Sequence, residues 1–327
     1  MTTINDIAKL AGVSRSTVSR FLNKSGYVSE EAKENIKAVI EETGYMPSQS
    51  AKSLRTNKTS VIGVILPKIS TETASRVMSG INRELGKYDY QPLLADTGLD
   101  KEKELRYLAL LQSRNVDGII VLGTNTDDKM AEAIKRLRIP VIVVGQEFDE
   151  IPCIVYPDYE ATCEAIEYMI KKGRRKIGFI GVPESDPAVG IVRKKAYVDT
   201  LMKHQLMLDK KHVQIGDFSI QSGYNAMQRI WKDSEEIDSV FVVTDRMAVG
   251  AVKFLKEKNI VIPEQFAIAT TGASSLAEYI DPSLTTVDFL NEQAGEKAAT
   301  LIMQLISGEK VNEKLVHTYR LLKRNSV

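Results

Sequence analysis

Residues 4–22 read INDIAKLAGVSRSTVSRFL, and two helical patterns meet inside them at Ala11-Gly12-Val13. In the first, Ile7, Ala8 and Ala11 share one face at helical spacing. Gly12 accepts the positive φ of a tight turn, after which Val13 packs inward. Ser14 is a ready N-cap for a second helix over 15–22. That helix buries Val18 and Leu22 and leaves Arg15, Ser16, Thr17, Ser19 and Arg20 outside, a row of hydrogen-bond donors with no acid among them. Helix, short glycine turn, helix is the helix-turn-helix, whose second helix enters the major groove of DNA. An ordinary helical hairpin with a solvated face has the same pattern, so the surrounding chain has to decide.

Immediately downstream, the turn cluster Asn23-Lys24-Ser25-Gly26 precedes Val28-Ser29-Glu30-Glu31, with Ser29 as N-cap and acids in the first turn of a third helix. Ala32, Ile36, Val39 and Ile40 give that helix an apolar face over 30–43, and Gly44 stops it. Three helices within fifty residues close one small core. Tyr45-Met46-Pro47 then leads into SQSAKSLR at 48–55, too polar to fold alone and too short for a stable free helix. Residues 1–60 carry nine Lys/Arg and six Asp/Glu, whereas the whole chain is nearly neutral at +1. The excess positive charge therefore lies on the segment that needs phosphate attraction.

From residue 60 the pattern changes. VIGVILP at 61–67 is a buried strand, followed by a helix over 73–87. Strands and helices then alternate: 91–95, 101–114, 118–122, 127–137 and 141–144, and later 177–181, a helix around Arg193, 240–244, 247–258 and 267–271. Continuous apolar strands separated by helices mean parallel sheets covered on both faces. One sheet holds five or six strands, so this series fills two. At 327 residues, 43% hydrophobic and 27% charged, the chain has the size and composition of a globular protein of two or three domains. No apolar run approaches the roughly 20 residues of a membrane span. With no apolar signal core near Met1, a cytoplasmic location is expected. Cys153 and Cys163 are too few for a disulfide framework and have no metal-ligand neighbours, so reduced thiols and no metal are expected.

The runs TINDIAKLAGVSRSTVSRFLNK and GYMPSQSAKSLRT resemble the LacI/GalR family of transcription regulators, and the similarity continues until the last few residues. The resemblance implies a three-helix headpiece (1–46), a hinge helix that forms on operator DNA (47–59), and a two-lobed core of the periplasmic-binding-protein type (60–327). In that family the chain crosses between lobes three times, which gives lobe one as 61–156 plus 288–311 and lobe two as 157–287 plus 312–327. It places Arg15, Ser16 and Arg20 at base-reading positions and Ser14, Thr17, Ser19 and Asn23 at phosphate-anchoring ones, with Tyr45 counted in the same surface. Ala51 and Leu54 match hinge residues facing the minor groove, Leu54 as the wedge that unstacks the central step. Ser48 and Lys52 depart from the family's usual Asn and Arg there. A plain linker, with Leu54 docked on the core, is the alternative for this segment.

The implied ligand is a sugar or sugar phosphate held beyond the carboxyl ends of the strands, where open α/β sheets bind ligands. Six residues sit at such ends or match the family's ligand contacts. Asp245 opens a helix in TDRMAVGA and either caps it or holds sugar hydroxyls. Arg193 matches a clamping arginine. Phe218, in GDFS, is either a ring against the sugar or a core residue, and Phe289 is a second candidate of that kind. Gln146 ends the strand in VVGQEF and can donate to a hydroxyl. Lys68 follows the first strand, where relatives often carry a small neutral residue; it reads as a phosphate partner or as a surface lysine. The loop GVPESDPAVG resembles the corresponding loop of trehalose and sucrose regulators. Within the family the whole chain most resembles the sucrose-responsive repressors.

The expected molecule is thus a homodimeric, sugar-responsive repressor bound to double-stranded operator DNA, with no cofactor and no membrane partner. Corepression by a small molecule or a phosphorylated carrier protein stays open as the opposite sense of the switch. A sugar-transport protein would share the lobes but not the headpiece. Catalysis has little support: His204, His212 and His317 are scattered with no nucleophile-base spacing, and no phosphate loop follows the first strand. Residues 321–327 lack leucine heptads, which argues against a coiled-coil tetramerisation tail.

Overall fold

The computed structural model describes residues 2–23, 25–45, 58–233 and 237–327. It divides the chain into two compact units, 1–60 and 61–327. The hinge helix expected over 47–59, with Ala51 and Leu54, falls almost wholly outside the described residues.

In the first unit, Thr3 and Asp6 form a reciprocal capping box at the start of the helix Ile4–Leu10. Ser14 caps Arg15–Leu22 by accepting the Thr17 amide, and Ser29 caps Glu30–Thr43 in the same way through Ala32. Gly12 and Gly44 both take positive φ, at +67° and +61°. Ile7, Val18 and Ile36, one from each helix, are fully buried and close the small core.

The second unit holds two six-stranded sheets. Sheet one contains β1 (Val61–Leu66), β2 (Gln91–Asp96), β3 (Gly118–Leu122), β4 (Val141–Val144), β5 (Cys153–Val155) and β11 (Lys314–Val316), in the order 11-5-4-3-1-2 and all parallel. Sheet two contains β6 (Ile177–Gly181), β7 (Val213–Ile215), β8 (Ser239–Val242), β9 (Ala267–Thr271), β10 (Thr285–Asp288) and β12 (Arg320–Leu322), in the order 12-10-9-8-6-7. β12 runs antiparallel to β10, the one departure from the expected parallel sheets among the described residues. Both sheets have the doubly wound arrangement in which strand order reverses beside the first strand: between β1 and β3 in one, between β6 and β8 in the other.

Three features correct the sequence reading. β11 lies in sheet one, so the third crossing between lobes falls at about 317–319 and not at 312. Asp288 belongs to β10 in sheet two, which moves the second crossing to Phe289-Leu290. Residues Pro187–Val192, expected as a loop, form a π-helical turn continuous with the helix Arg193–Lys203. A wide turn is accommodated there because Pro187 has no amide to pair and Gly190 packs against the Pro183 carbonyl, where a Cβ would come within 2.3 Å.

Each lobe is braced by a helix pair in backbone contact. A Cβ on Gly80, in Glu72–Gly86, would stand 1.9 Å from the Glu292 carbonyl oxygen; one on Gly295, in Asn291–Ile306, would stand 2.0 Å from that of Val77. In lobe two Gly223 and Gly250 do the same between Ile220–Asp233 and Asp245–Glu257, with oxygens at 2.0 Å from each. The lobes are therefore rigid pieces joined by three short crossings.

Candidate functional site

The headpiece presents a polar surface along Arg15–Leu22. Arg15, Ser16 and Arg20 are exposed, while Thr17, Ser19 and Asn23 are half-buried. Ser14 Oγ lies 2.7 Å from Ser16 Oγ and 2.8 Å from Thr17 Oγ1, and Asn23 Nδ2 donates to the Ser19 carbonyl at 2.5 Å. The Arg20 stem runs beside Gly26, where a Cβ would meet its Cδ at 3.5 Å. Tyr45 is half-buried against the headpiece core, so much of its ring is occupied in packing.

A cavity of about 230 Å³ opens between the two lobes of the core. It sits where both reversal points of strand order meet: Lys68 and Thr124 follow β1 and β3, and Thr244 and Asp245 follow β8. All six residues singled out from the sequence (Lys68, Gln146, Arg193, Phe218, Asp245 and Phe289) border it. They differ in what they have left to offer a ligand.

Asp245, 3% exposed, accepts the Ser274 amide at 2.6 Å on one oxygen and the Thr286 hydroxyl at 2.8 Å on the other. Burial pushes its carboxyl up to about 6, against the pull of these donors. It also opens the helix Asp245–Glu257, but the capping side chain is that of Thr244. Arg193 is tied on three sides. Its Nε donates to Asp158 at 2.7 Å, its Nη1 to the Val243 carbonyl at 2.7 Å and to Thr271 Oγ1 at 2.5 Å, and its Nη2 pairs with Asp158 at 2.6 Å. Its guanidinium lies 5.2 Å from the Phe289 ring centre, so Phe289 presents one face to a buried cation. Phe218 has φ +68°, a left-handed backbone rare for an aromatic residue, between the Asp217 and Ser219 turn contacts. Lys68 is exposed and makes no ion pair among the described residues.

Among the described residues, three side chains of lobe one, Gln146, Arg76 and Glu72, bond across to lobe two. Gln146 Nε2 donates to Asp186 Oδ1 at 3.0 Å. Arg76 donates to the Gly272 and Ala273 carbonyls and, at 3.0 Å, to Asp288, while Ser275 donates its amide to Glu72 at 2.9 Å. Burial would raise the Asp288 carboxyl, but the Leu290 amide, Arg76 and Arg320 hold it below the usual carboxylate range.

Sequence reasoning found one ring of the cleft floor, Phe289, and missed the two that pack beside it. Each crossing contributes one ring: Tyr156, Phe289 and His317. Tyr156 lies 5.2 Å from Phe289 and 6.0 Å from His317, centre to centre. His317 Nε2 donates to the Leu290 carbonyl at 3.3 Å. The residues carry no periodic signal, because single residues at crossings belong to no helix face or strand. Asn291 is the first residue of its helix, and Leu290 holds the cap position with φ +51° and no side-chain bond. No group of His, Cys, Asp and Glu among the described residues is arranged to hold a metal ion. No helix there is long and apolar enough to cross a membrane.

A helix-turn-helix unit followed by a two-lobed α/β core with a cleft at its strand ends defines the ligand-responsive DNA-binding regulators. The chain belongs to the LacI family. Residues 3–48 match the family model described as bacterial regulatory proteins, lacI family, and residues 59–325 match periplasmic binding proteins and sugar binding domain of LacI family. Among curated proteins it is 30% identical to a sucrose operon repressor of Staphylococcus xylosus, over 97% of each chain. Among solved structures it resembles a transcriptional regulator CelR-cellobiose complex (26% identity, all of both chains, TM-score 0.76). The lac repressor dimer bound to operator and an anti-inducer shares the fold at 21% identity, with TM-score 0.91 over 99% of this chain and 98% of that one. The protein is a DNA-binding transcriptional regulator of that family.

Proposed function

We propose that this protein is a cytoplasmic, homodimeric repressor of a sugar-utilisation operon, with sucrose as the sugar, and that a sugar in the interlobe cleft releases it from a pseudo-palindromic operator. The observation that carries the reading is the cavity at the joined reversal points of both sheets, bordered by Lys68, Gln146, Arg193, Phe218, Asp245 and Phe289. Arg15, Ser16 and Arg20 read base edges, and Ser14, Thr17, Ser19 and Asn23 anchor phosphates. Ligand closure of rigid lobes about the three crossings shifts the population between DNA-competent and DNA-incompetent forms, and the ligand has to favour the second. A relative solved as a complex with cellobiose and another named for sucrose both support a disaccharide.

The second copy has a surface to cover: β2 is an edge strand with Leu93 and Leu94 exposed and Tyr88 close by in sequence. A gel shift on the DNA upstream of the neighbouring sugar genes, titrated with sucrose, trehalose and their 6-phosphates, tests the whole reading. Coupling of about 1 to 3 kcal/mol lowers operator affinity roughly 5- to 150-fold when the right sugar is added. Retention of the complex at every sugar concentration would refute the induction scheme.

A further inference from the structure

The loop from Gly272 to Ser275 faces both lobes at once. Toward lobe two, the Ser274 amide donates to Asp245 Oδ2 at 2.6 Å. The Ala273 amide donates to Thr286 Oγ1, whose hydroxyl bonds the other Asp245 oxygen. Toward lobe one, Arg76 Nη1 donates to the Gly272 and Ala273 carbonyls at 3.1 and 3.2 Å, and Glu72 accepts the Ser275 amide at 2.9 Å. The amides of Ser274 and Ser275 therefore point to opposite lobes. The turn that allows this has φ +135° at Gly272 and +51° at Ala273, the second a left-handed backbone that a side chain adopts only where its surroundings impose it.

Glu72 and Arg76 stand one turn apart on the same face of the helix Glu72–Gly86, so an acceptor and a donor grip the loop from one rigid element. Arg76 also bonds Asp288, the residue before the crossing at Phe289-Leu290. Of the described residues that border the cavity, Asp245 is one and Arg76 is not.

We infer, resting on the reading of this cleft as the effector site, that Glu72 and Arg76 are positioning residues of the switch: they clamp the loop behind Asp245 to lobe one, so that occupancy at Asp245 biases the arrangement of the lobes.

The peptide chemistry shows how. A hydroxyl donating to Asp245 competes with Ser274 and Thr286 for the lone pairs of one carboxylate. A shift of the Ser274 amide is shared by the next one, which Glu72 holds, and it moves the carbonyls under Arg76. Occupancy and lobe contact are thus one peptide unit apart. Losing Arg76 leaves the buried Asp288 its Leu290 amide and Arg320 donors, so the fold should survive the substitution.

Full-length Arg76→Met and Arg76→Lys, set beside the parent, test this in two measurements. In hydrogen exchange without added sugar, Arg76→Met should exchange the amides of residues 273–275 at least about tenfold faster while the rest of the core keeps its rates. A merely structural loss would raise the rates throughout both lobes. In gel shifts with sucrose and trehalose, a sugar that weakens operator binding by the parent should weaken that of Arg76→Met at least about fivefold less. Arg76→Lys keeps a charge and a donor and should recover part of the response. By calorimetry that sugar should bind DNA-free Arg76→Met within about threefold of the parent, because the residue lies off the cavity. Unaltered exchange at 273–275, or release of the variant as complete as that of the parent, would overturn the clamp and leave the sugar reading standing. If neither sugar releases the parent, the sugar reading fails, and the exchange rates alone decide the clamp.

Discussion

Gln146 and Asp186 join the two lobes directly, Nε2 to Oδ1 at 3.0 Å, one residue from each wall of the cleft. Asp186 also accepts the Val189 amide at 3.3 Å in the π-helical turn, so the bond ties lobe one to the segment that leads into Arg193. Gln146→Ala removes the tie and leaves Asp186 its backbone donor. Ligand affinity should fall roughly 3- to 10-fold, the worth of about one hydrogen bond, with little change in the thermal midpoint of the free protein. Unchanged affinity in calorimetry would mean that the bond is worth the same in the free and the liganded forms.

Asp245 gives stability a pH dependence of defined sign. Its folded carboxyl titrates at about 6, above the ordinary 3.8, so between those values the folded chain holds a proton that the unfolded chain has lost. Its contribution is therefore full below the unfolded value and is lost as pH rises through about 6. The loss amounts to about 3 kcal/mol. Denaturant unfolding of the parent and of Asp245→Asn from pH 4 to 7 checks this. The parent should lose stability relative to the variant across that window, and a constant difference would contradict the assignment.

Arg193 and Asp158 are buried together, so removing either partner strands a charge. Asp158→Ala should destabilise the core by about 3 to 5 kcal/mol, readable as a lower urea midpoint. Replacing the pair jointly by Met and Leu should recover part of the loss. A single variant as stable as the parent would show that the pair is dispensable.

On DNA, Arg15→Ala or Arg20→Ala should cost roughly 1 to 3 kcal/mol of discrimination at one base pair of each half-site. Binding measured against operators altered one position at a time distinguishes this from phosphate anchoring, which weakens every sequence alike.

The helix-turn-helix was legible because caps, glycine and apolar spacing all agree within twenty residues. β1, β3, β4, β6 and β9 were legible because they are buried on both faces and so read as unbroken apolar runs. β5, β7, β11 and β12 have three residues each, too few for any period to emerge. The assignment of β11 and β12 to different sheets turns on the single crossing at His317, which composition does not mark. Lys68, Gln146, Asp245 and Phe289 could be found because strand ends can be found, whereas Arg193 and Phe218 came from the family resemblance alone. Glu72 and Arg76 could not, because what distinguishes them is bonding between lobes, a property of the packed molecule alone.

The rings of Tyr156, Phe289 and His317 lie where the chain passes between lobes, and two of the three also border the cavity. In the proposed scheme, occupancy and lobe angle would thus be set at one place, with no relay in between. A compound that seats itself on those rings yet carries bulk enough to prop the walls apart would compete with the natural effector and leave the operator complex untouched. Antagonists of this regulator should accordingly arise from enlarging the effector, with no new binding surface required.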